Sequence, residues 1–223
     1  MAAITEPRRD GVRPWFDSER VTRGLLLCGV AAPLLYALGD AVAGTYWSEY
    51  SVRDQTISEL AAIGAPSRVI FSAFLMAGYA ACAAFGVGVC RAAGDTRTLR
   101  IAGAVLCAMG AAALLAVPFT SMRMRGEEQG TAGAIHLATG MVFMSLLLLT
   151  MLLAAVSLRR RFRIYTITTI AVMLAFGVWA GVDGSRLAEG LETPWLGVKE
   201  RISVYAYQAW IGVLAIVVMR APR

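Results

Sequence analysis

Charged residues are scarce in this sequence. Asp, Glu, Lys and Arg make up 16% of its 223 residues, hydrophobic residues make up 58%, and the mean hydropathy is +0.63. A soluble domain has about 25% charged and about 45–50% apolar residues. The composition therefore excludes an ordinary soluble domain and predicts membrane spans of roughly 20 apolar residues each.

Histidine and cysteine, the usual ligands of zinc, are also rare. The sequence has one histidine, His136, and four cysteines, which all lie inside apolar runs without C-x-x-C spacing. A zinc site needs three or four ligands, and a disulfide framework needs Cys residues that can pair. No G-x-S-x-G motif surrounds Ser58, so the strained turn that carries a serine nucleophile is not indicated. We therefore predict no metal and no cofactor, and cysteines that serve as buried packing residues.

The net charge of +6 and the pI of about 9.5 would suggest nucleic acid as the partner of a soluble protein. Here the basic residues cluster at the ends of apolar runs, where anionic lipid headgroups explain them. We predict membrane lipids as partners and no nucleic acid. The sequence leaves open whether the chain has a protein partner in the membrane.

Six long apolar runs predict an all-α, six-helix membrane bundle. It forms a single domain over residues 22–220, preceded by a polar tail at residues 1–21. The predicted spans are 21–44, 67–89, 101–119, 134–158, 164–182 and 198–219.

The distribution of Lys and Arg predicts the orientation of the bundle. The tail, the loops after the second and fourth spans and the C-terminus hold 14 of these residues, whereas the other three loops with their flanks hold 7. The positive-inside rule then puts both termini in the cytoplasm of a multi-pass protein of the cell membrane. The loops after the first, third and fifth spans face outward.

Polar residues of several spans share one depth near the outward side. Because an ionisable group at membrane depth costs about 2.5–3.5 kcal/mol, such groups are expected to face the bundle interior and to pair. On the sixth span, i, i+4, i+7 spacing puts three of them on one stripe. The candidate cluster comprises Asp40, Ser58, Glu59, His136, Asp183, Glu200, Arg201, Tyr205 and Gln208.

The helix dipole indicates how these groups pair. Asp40 and Asp183 close outward-running helices, where the dipole disfavours an anion, so each needs a cation, with Arg201 and His136 as candidates. Glu200 opens the sixth span, where a simple helix cap explains it. The polar segment 54–64 is expected to form a short helical turn and a lid over the bundle mouth, on which Glu59 meets Arg201 or His136.

Three interpretations of the cluster stay open at this point. It forms an outward-facing polar pocket for a lipid or small amphiphile, or it is only a clamp that fixes helix order in a structural or accessory subunit. Alternatively, His136 acts as a general base beside Asp40 or Asp183 in a membrane-embedded hydrolase. A transport pathway is not indicated, because the cytoplasmic half of every span is essentially uncharged.

Three segments resemble a bacterial membrane family called domain of unknown function 998. They are the run from Ile57 to Pro66, the sequence His136-Leu137-Ala138, and the run from Gly197 to Ser203 that leads into residues 205–210. The resemblance covers about residues 22–220. It implies six spans and no established activity, and it groups five of the candidate residues in one recurring feature: Ser58, Glu59, His136, Glu200 and Arg201.

Overall fold

The computed structural model describes residues 19–221, and these residues form seven α-helices and two short 3-10 helices. The 3-10 helices cover Ile57–Ala61 and Val117–Phe119. The α-helices are α1 (Glu19–Tyr46), α2 (Arg68–Ala92), α3 (Arg97–Ala116), α4 (Gly130–Ser157), α5 (Arg160–Gly181), α6 (Gly184–Ala188) and α7 (Leu196–Met219).

Six of these helices are long and apolar enough to cross a membrane, and only the short α6 is not. They coincide with the six predicted spans, which confirms an all-α membrane bundle. Several begin earlier than predicted: α3 begins at Arg97 and α5 at Arg160. Arginine is a good helix former whose long stem can lie along apolar surface, so the helix continues beyond the apolar run. The predicted tail 1–21 lies outside the described residues except for its last three.

The six long helices pack in a closed ring in the order α1, α2, α3, α4, α5, α7, with α7 returning to α1. The tightest seam joins α2 and α3, because glycines let the two backbones touch. A β-carbon at Gly103 would lie 2.7 Å from the backbone nitrogen of Cys90, and one at Gly110 would lie 2.6 Å from that of Ala83. Small residues at such seams are typical of helix packing in lipid.

The ring has two chemically different ends. The polar end carries the loops 47–67, 117–129 and 182–195, and the basic end carries the turns 93–96 and 158–159, beside which arginines cluster on the adjoining helices. One buried apolar core lies toward the basic end around Phe85, Met151 and Trp210. A second core lies at the polar end around Ile57, Leu60 and Phe71.

Two aromatic residues of the first loop belong to this second core. Trp47 and Tyr50 are each only 9% exposed, whereas Tyr46 and Trp195 are exposed. By composition alone, these four residues would form an aromatic belt at the membrane interface. Only Tyr46 and Trp195 have the exposure that such a belt requires, whereas Trp47 and Tyr50 are buried. The loop folds back onto the helices and buries them.

Candidate functional site

The segment 54–64 forms a lid over the polar end of the ring. Its 3-10 helix begins with a capping box, in which the Thr56 hydroxyl accepts from the Glu59 backbone N–H and the Glu59 carboxylate accepts from the Thr56 backbone N–H. The lid ends at Gly64, whose φ of +97° is a conformation that favours glycine. The Ile63 N–H donates to Met122 at 2.8 Å, which joins the lid to the loop 117–129. The predicted helical turn is thus present.

A buried ion pair joins α1 and α7 directly below the lid. Arg201 binds Asp40 in bidentate fashion, with Nε 3.0 Å and a terminal nitrogen 2.7 Å from the two carboxylate oxygens. The Tyr205 hydroxyl donates to the same carboxylate at 2.7 Å, and Arg201 also donates to the Tyr50 hydroxyl at 2.8 Å. We call Asp40, Tyr50, Arg201 and Tyr205 the clamp. Arg201 is one of the two cations predicted for Asp40, but α1 continues to Tyr46, so Asp40 lies before the last turn and the helix dipole is not the reason for the pair.

Arg201 also ties the clamp to the first loop. It donates to the Val52 carbonyl at 2.7 Å and, at longer distances, to the carbonyls of Gln55 and Gly197. A guanidinium can donate five hydrogen bonds, and these contacts occupy it fully. Arg201 therefore has no donor left for a ligand in this conformation.

The sequence suggested that Glu59 would pair with Arg201 or His136. In the structure it pairs with Arg125 instead. The Arg125 guanidinium donates to both carboxylate oxygens of Glu59 at 2.9 and 3.0 Å. It also donates to the Thr193 hydroxyl at 2.7 Å and to the Asp54 carbonyl at 3.2 Å. Arg125 therefore ties together all three loops of the polar end. Sequence analysis did not select Arg125, because it lies in a loop with no helical periodicity.

Asp183 likewise has a different partner from those predicted. It lies 2.6 Å from the ammonium nitrogen of Lys199, the only lysine in the chain. The same ammonium lies 5.0 Å from the centre of the Trp179 ring. The pair joins the end of α5 to the start of α7 at the edge of the ring of helices. The dipole argument correctly required a cation at the end of α5, but it selected the wrong one.

Glu200 caps the lid rather than its own helix. Its carboxylate accepts from the Ile57 backbone N–H and, at 3.1 Å, from the Ser58 hydroxyl. Because α7 begins at Leu196, Glu200 lies beyond its first turn, and the predicted cap of α7 is wrong.

His136 is in the second turn of α4 rather than the first, because α4 begins at Gly130. Its Nδ1 lies 2.7 Å from the Thr120 carbonyl oxygen. A carbonyl can only accept, so Nδ1 carries the proton and Nε2 of the neutral ring is an acceptor. Within residues 19–221 no carboxylate binds His136, since Asp40 and Asp183 are held by Arg201 and Lys199. The expected general-base pair is therefore not formed.

A cavity of about 320 Å³ lies inside the ring, below the lid. A smaller cavity of about 150 Å³ shares eight lining residues with it, including Ser58 and His136. The walls of the larger cavity are mostly apolar side chains of α1, α2, α3, α4 and α7. Its polar lining consists of Tyr36, Ser58, Tyr79, His136, Glu200, Tyr207 and Gln208.

The predicted cluster therefore does not form one site: seven of its residues fall into two groups that face different directions, while Glu59 and Asp183 pair elsewhere with Arg125 and Lys199. Ser58, His136, Glu200 and Gln208 line the cavity, whereas Asp40 and Arg201 form the clamp beside it. The predicted polar stripe on α7, which consists of Arg201, Tyr205 and Gln208, divides in the same way. Tyr205 joins Arg201 in the clamp, whereas Gln208 lines the cavity. Among the described residues, no three His, Cys, Asp or Glu side chains are grouped so that they could hold a metal ion.

Two residues of the first loop, Asp54 and the clamp residue Tyr50, have shifted pKa values. Hydrogen bonds from Arg53 and from the Trp195 backbone N–H lower the pKa of Asp54 to about 2. Burial raises the pKa of Tyr50 well above its ordinary value, although the Arg201 cation acts in the opposite direction. Asp54 is thus ionised and Tyr50 neutral across the physiological pH range.

The helices and the site define a polytopic α-helical membrane protein with an internal, partly polar cavity. Within that class, the chain belongs to the family described as Protein of unknown function (DUF998), which it matches over residues 30–217. No curated protein and no solved structure matches the chain.

Proposed function

We propose that this protein binds an amphiphilic molecule of the membrane in the cavity below the lid. The shape and lining of the cavity are the observation that carries the proposal. Its volume of about 320 Å³ lies at the lower end of the roughly 300–1,000 Å³ of ligand pockets. Mostly apolar walls that carry a few polar groups, with Ser58, His136 and Glu200 nearest the lid, suit a ligand with an apolar chain and a polar head.

The packing of α4 and α5 supports access to the cavity from the bilayer. In α4 no residue from Gly130 to Leu146 is buried, and in α5 none is buried after Met173. Both of these half-helices lie at the polar end, so the two helices are least enclosed by protein beside the cavity. A ligand that enters between them would not have to leave the bilayer.

The clamp serves a structural role in this proposal. Its charges satisfy each other, and they lie between α1 and α7 instead of facing the cavity. The clamp interpretation and the pocket interpretation therefore apply to different residues. A structural subunit without a ligand would need the clamp but would have no use for the cavity.

The orientation is part of the proposal. The excess of arginine at the basic end supports cytoplasmic termini in the cell membrane, with the lid outside. A C-terminal fusion should then be fluorescent with green fluorescent protein and inactive with alkaline phosphatase. The opposite pair of results would reverse the orientation and put the lid in the cytoplasm.

Native mass spectrometry with lipidomics of the purified full chain tests the ligand. Wild-type protein should retain one amphiphile per chain. Gly140 lines the cavity, and a β-carbon there would meet nothing within 4 Å, so Gly140→Leu should fill the space and abolish retention without unfolding the protein. Gly24→Leu is the matched control, because Gly24 is equally unobstructed but lies outside the cavity. A wild-type chain without ligand, or a Gly140→Leu variant that retains it, would contradict the proposal.

A further inference from the structure

Five acidic side chains at the polar end are buried or half-buried in the described residues 19–221. They are Asp40, Asp54, Glu59, Asp183 and Glu200. The first four each have an Arg or Lys nitrogen between 2.6 and 2.9 Å away. Glu200 is the exception, because no cationic side chain of the described part of the chain lies within 4.0 Å of it. It is also the only one of the five that lines the larger cavity.

The neighbour of Glu200 in the sequence, Arg201, makes no ion pair with it. Consecutive residues of a helix point about 100° apart, and Arg201 turns toward the clamp while Glu200 turns toward the cavity. The Glu200 carboxylate accepts one hydrogen bond at each oxygen, from Ile57 and Ser58. A carboxylate has about four acceptor positions, so lone pairs remain available to the cavity.

Each of the other polar groups of the cavity can accept a hydrogen bond or offer an aromatic face to a cation, and the hydroxyl groups and the Gln208 amide can donate as well. Nε2 of His136 is an acceptor, since Nδ1 donates to Thr120. The hydroxyls of Tyr36 and Tyr79 make no hydrogen bond to the described part of the protein. The rings of Tyr36, Tyr79 and Tyr207 line the cavity together with Phe143. Aromatic faces attract cations, most strongly where water is excluded.

We propose that the ligand of this cavity is a long-chain amine, whose ammonium group pairs with Glu200. This inference rests on the proposed function and specifies the chemistry of the ligand head. An ammonium has three donors and no acceptor, and it meets here a carboxylate, an imidazole acceptor and aromatic rings. A phosphate or carboxylate head would bring a second anion beside Glu200, with no cation of the described residues to balance it.

A titration with three ligands of equal chain length tests the head chemistry. Dodecylamine, dodecanol and dodecanoate are each titrated into the purified full chain at neutral pH, and the Kd is measured by native mass spectrometry. The amine should bind about tenfold or more tightly than the alcohol, because a hydrogen bond between charged groups is stronger than one between neutral groups. Dodecanoate should bind most weakly.

Glu200→Gln removes the charge and keeps an oxygen that can accept from the Ile57 N–H, so the lid retains its cap. The variant should lose the preference for the amine over the alcohol, about tenfold in Kd, and cooperative thermal unfolding shows that it is folded. Asp183→Asn is the matched control, because it also removes a negative charge at the polar end of the bundle. Asp183 pairs with Lys199 and does not line the cavity. The control variant should keep the preference for the amine.

The possible failures are distinguishable. If none of the three ligands binds, both the proposed function and the inference of an amine head are contradicted. If all three bind equally, or dodecanoate binds best, the amine is wrong while the proposed function stands. If Glu200→Gln leaves the preference intact and only lowers the melting temperature, Glu200 is solely a cap of the lid, and the inference is overturned.

Discussion

Removal of the charge of Asp40 is the most direct test of the clamp. The Asp40 carboxylate accepts three hydrogen bonds, two from Arg201 and one from Tyr205, at 2.7–3.0 Å. Asp40→Asn keeps the size of the side chain but leaves only one acceptor oxygen. Its amide N–H₂ would face a guanidinium that can only donate. The variant therefore removes the charge and also creates a mismatch between donors.

The magnitude follows from the burial of the pair. The two side chains are 8% and 11% exposed, and the loss of one partner from a buried pair costs about 3–5 kcal/mol. Arg201 keeps its contacts with Tyr50 and Val52, so we expect the lower limit, about 3 kcal/mol. For a chain of this size that corresponds to a fall in Tm of roughly 6–12 °C.

Thermal unfolding of the purified full chain in detergent measures this cost. A thiol-reactive dye reports the transition, since all four cysteines lie in the long helices. Asp183→Asn is the control: its carboxylate makes a single hydrogen bond to Lys199, which keeps its contact with the Trp179 ring, so about 1.5 kcal/mol is expected, the lower limit for a hydrogen bond to a charged group. In a double-mutant cycle, Asp40→Asn and Arg201→Gln together should cost less than the sum of the two. A fall in Tm for Asp40→Asn no larger than that of Asp183→Asn would refute the clamp.

Three further predictions concern the seams of the polar end and of the ring. Glu59→Gln should speed hydrogen exchange in residues 54–64, because Arg125 then loses its charged partner; unchanged exchange would contradict that role. Asp54→Asn should lower Tm at pH 7 and much less at pH 2, because the lowered pKa of Asp54 stabilises the folded state fully above the unfolded pKa, and that benefit is lost between about pH 5 and pH 1. Gly103→Ala should lower stability by about 1–3 kcal/mol through a backbone clash, whereas Gly24→Ala should not, and equal melting temperatures would disprove the tight seam.

The sequence was sufficient for the architecture because the bilayer permits few solutions. A spanning segment must satisfy its own backbone hydrogen bonds, so an apolar run of sufficient length becomes a helix. The predicted and observed spans therefore agree, and they differ by a few residues where arginines extend a helix, as at Arg97 and Arg160. The pairing of Asp40 with Arg201 was also predictable, because both lie at a similar depth and an ionisable group at membrane depth needs a partner.

Other pairings could not be predicted because depth alone does not distinguish candidates. Glu59 is close in depth to Arg125, Arg201 and His136, and the choice of Arg125 depends on the path of two loops across the bundle. The burial of Trp47 and Tyr50 could not be predicted for the same reason. An aromatic residue near the membrane interface has the same composition signal whether it faces lipid or packs beneath a loop.

The division between clamp and cavity depends on the rotation of each helix about its axis, and this is the property that an apolar helix conceals best. Lipid is as apolar as the interior of a bundle, so hydrophobic periodicity does not show which face points inward. Glu200 and Arg201 are adjacent in sequence and equal in depth, yet one faces the cavity and the other faces Asp40. Arg201 pairs with Asp40, and the three acidic groups Asp54, Glu59 and Asp183 also pair with cations of the chain. Among the five buried or half-buried acidic groups at this end, only Glu200 has no ion-pair partner in the described residues, and only Glu200 lines the larger cavity.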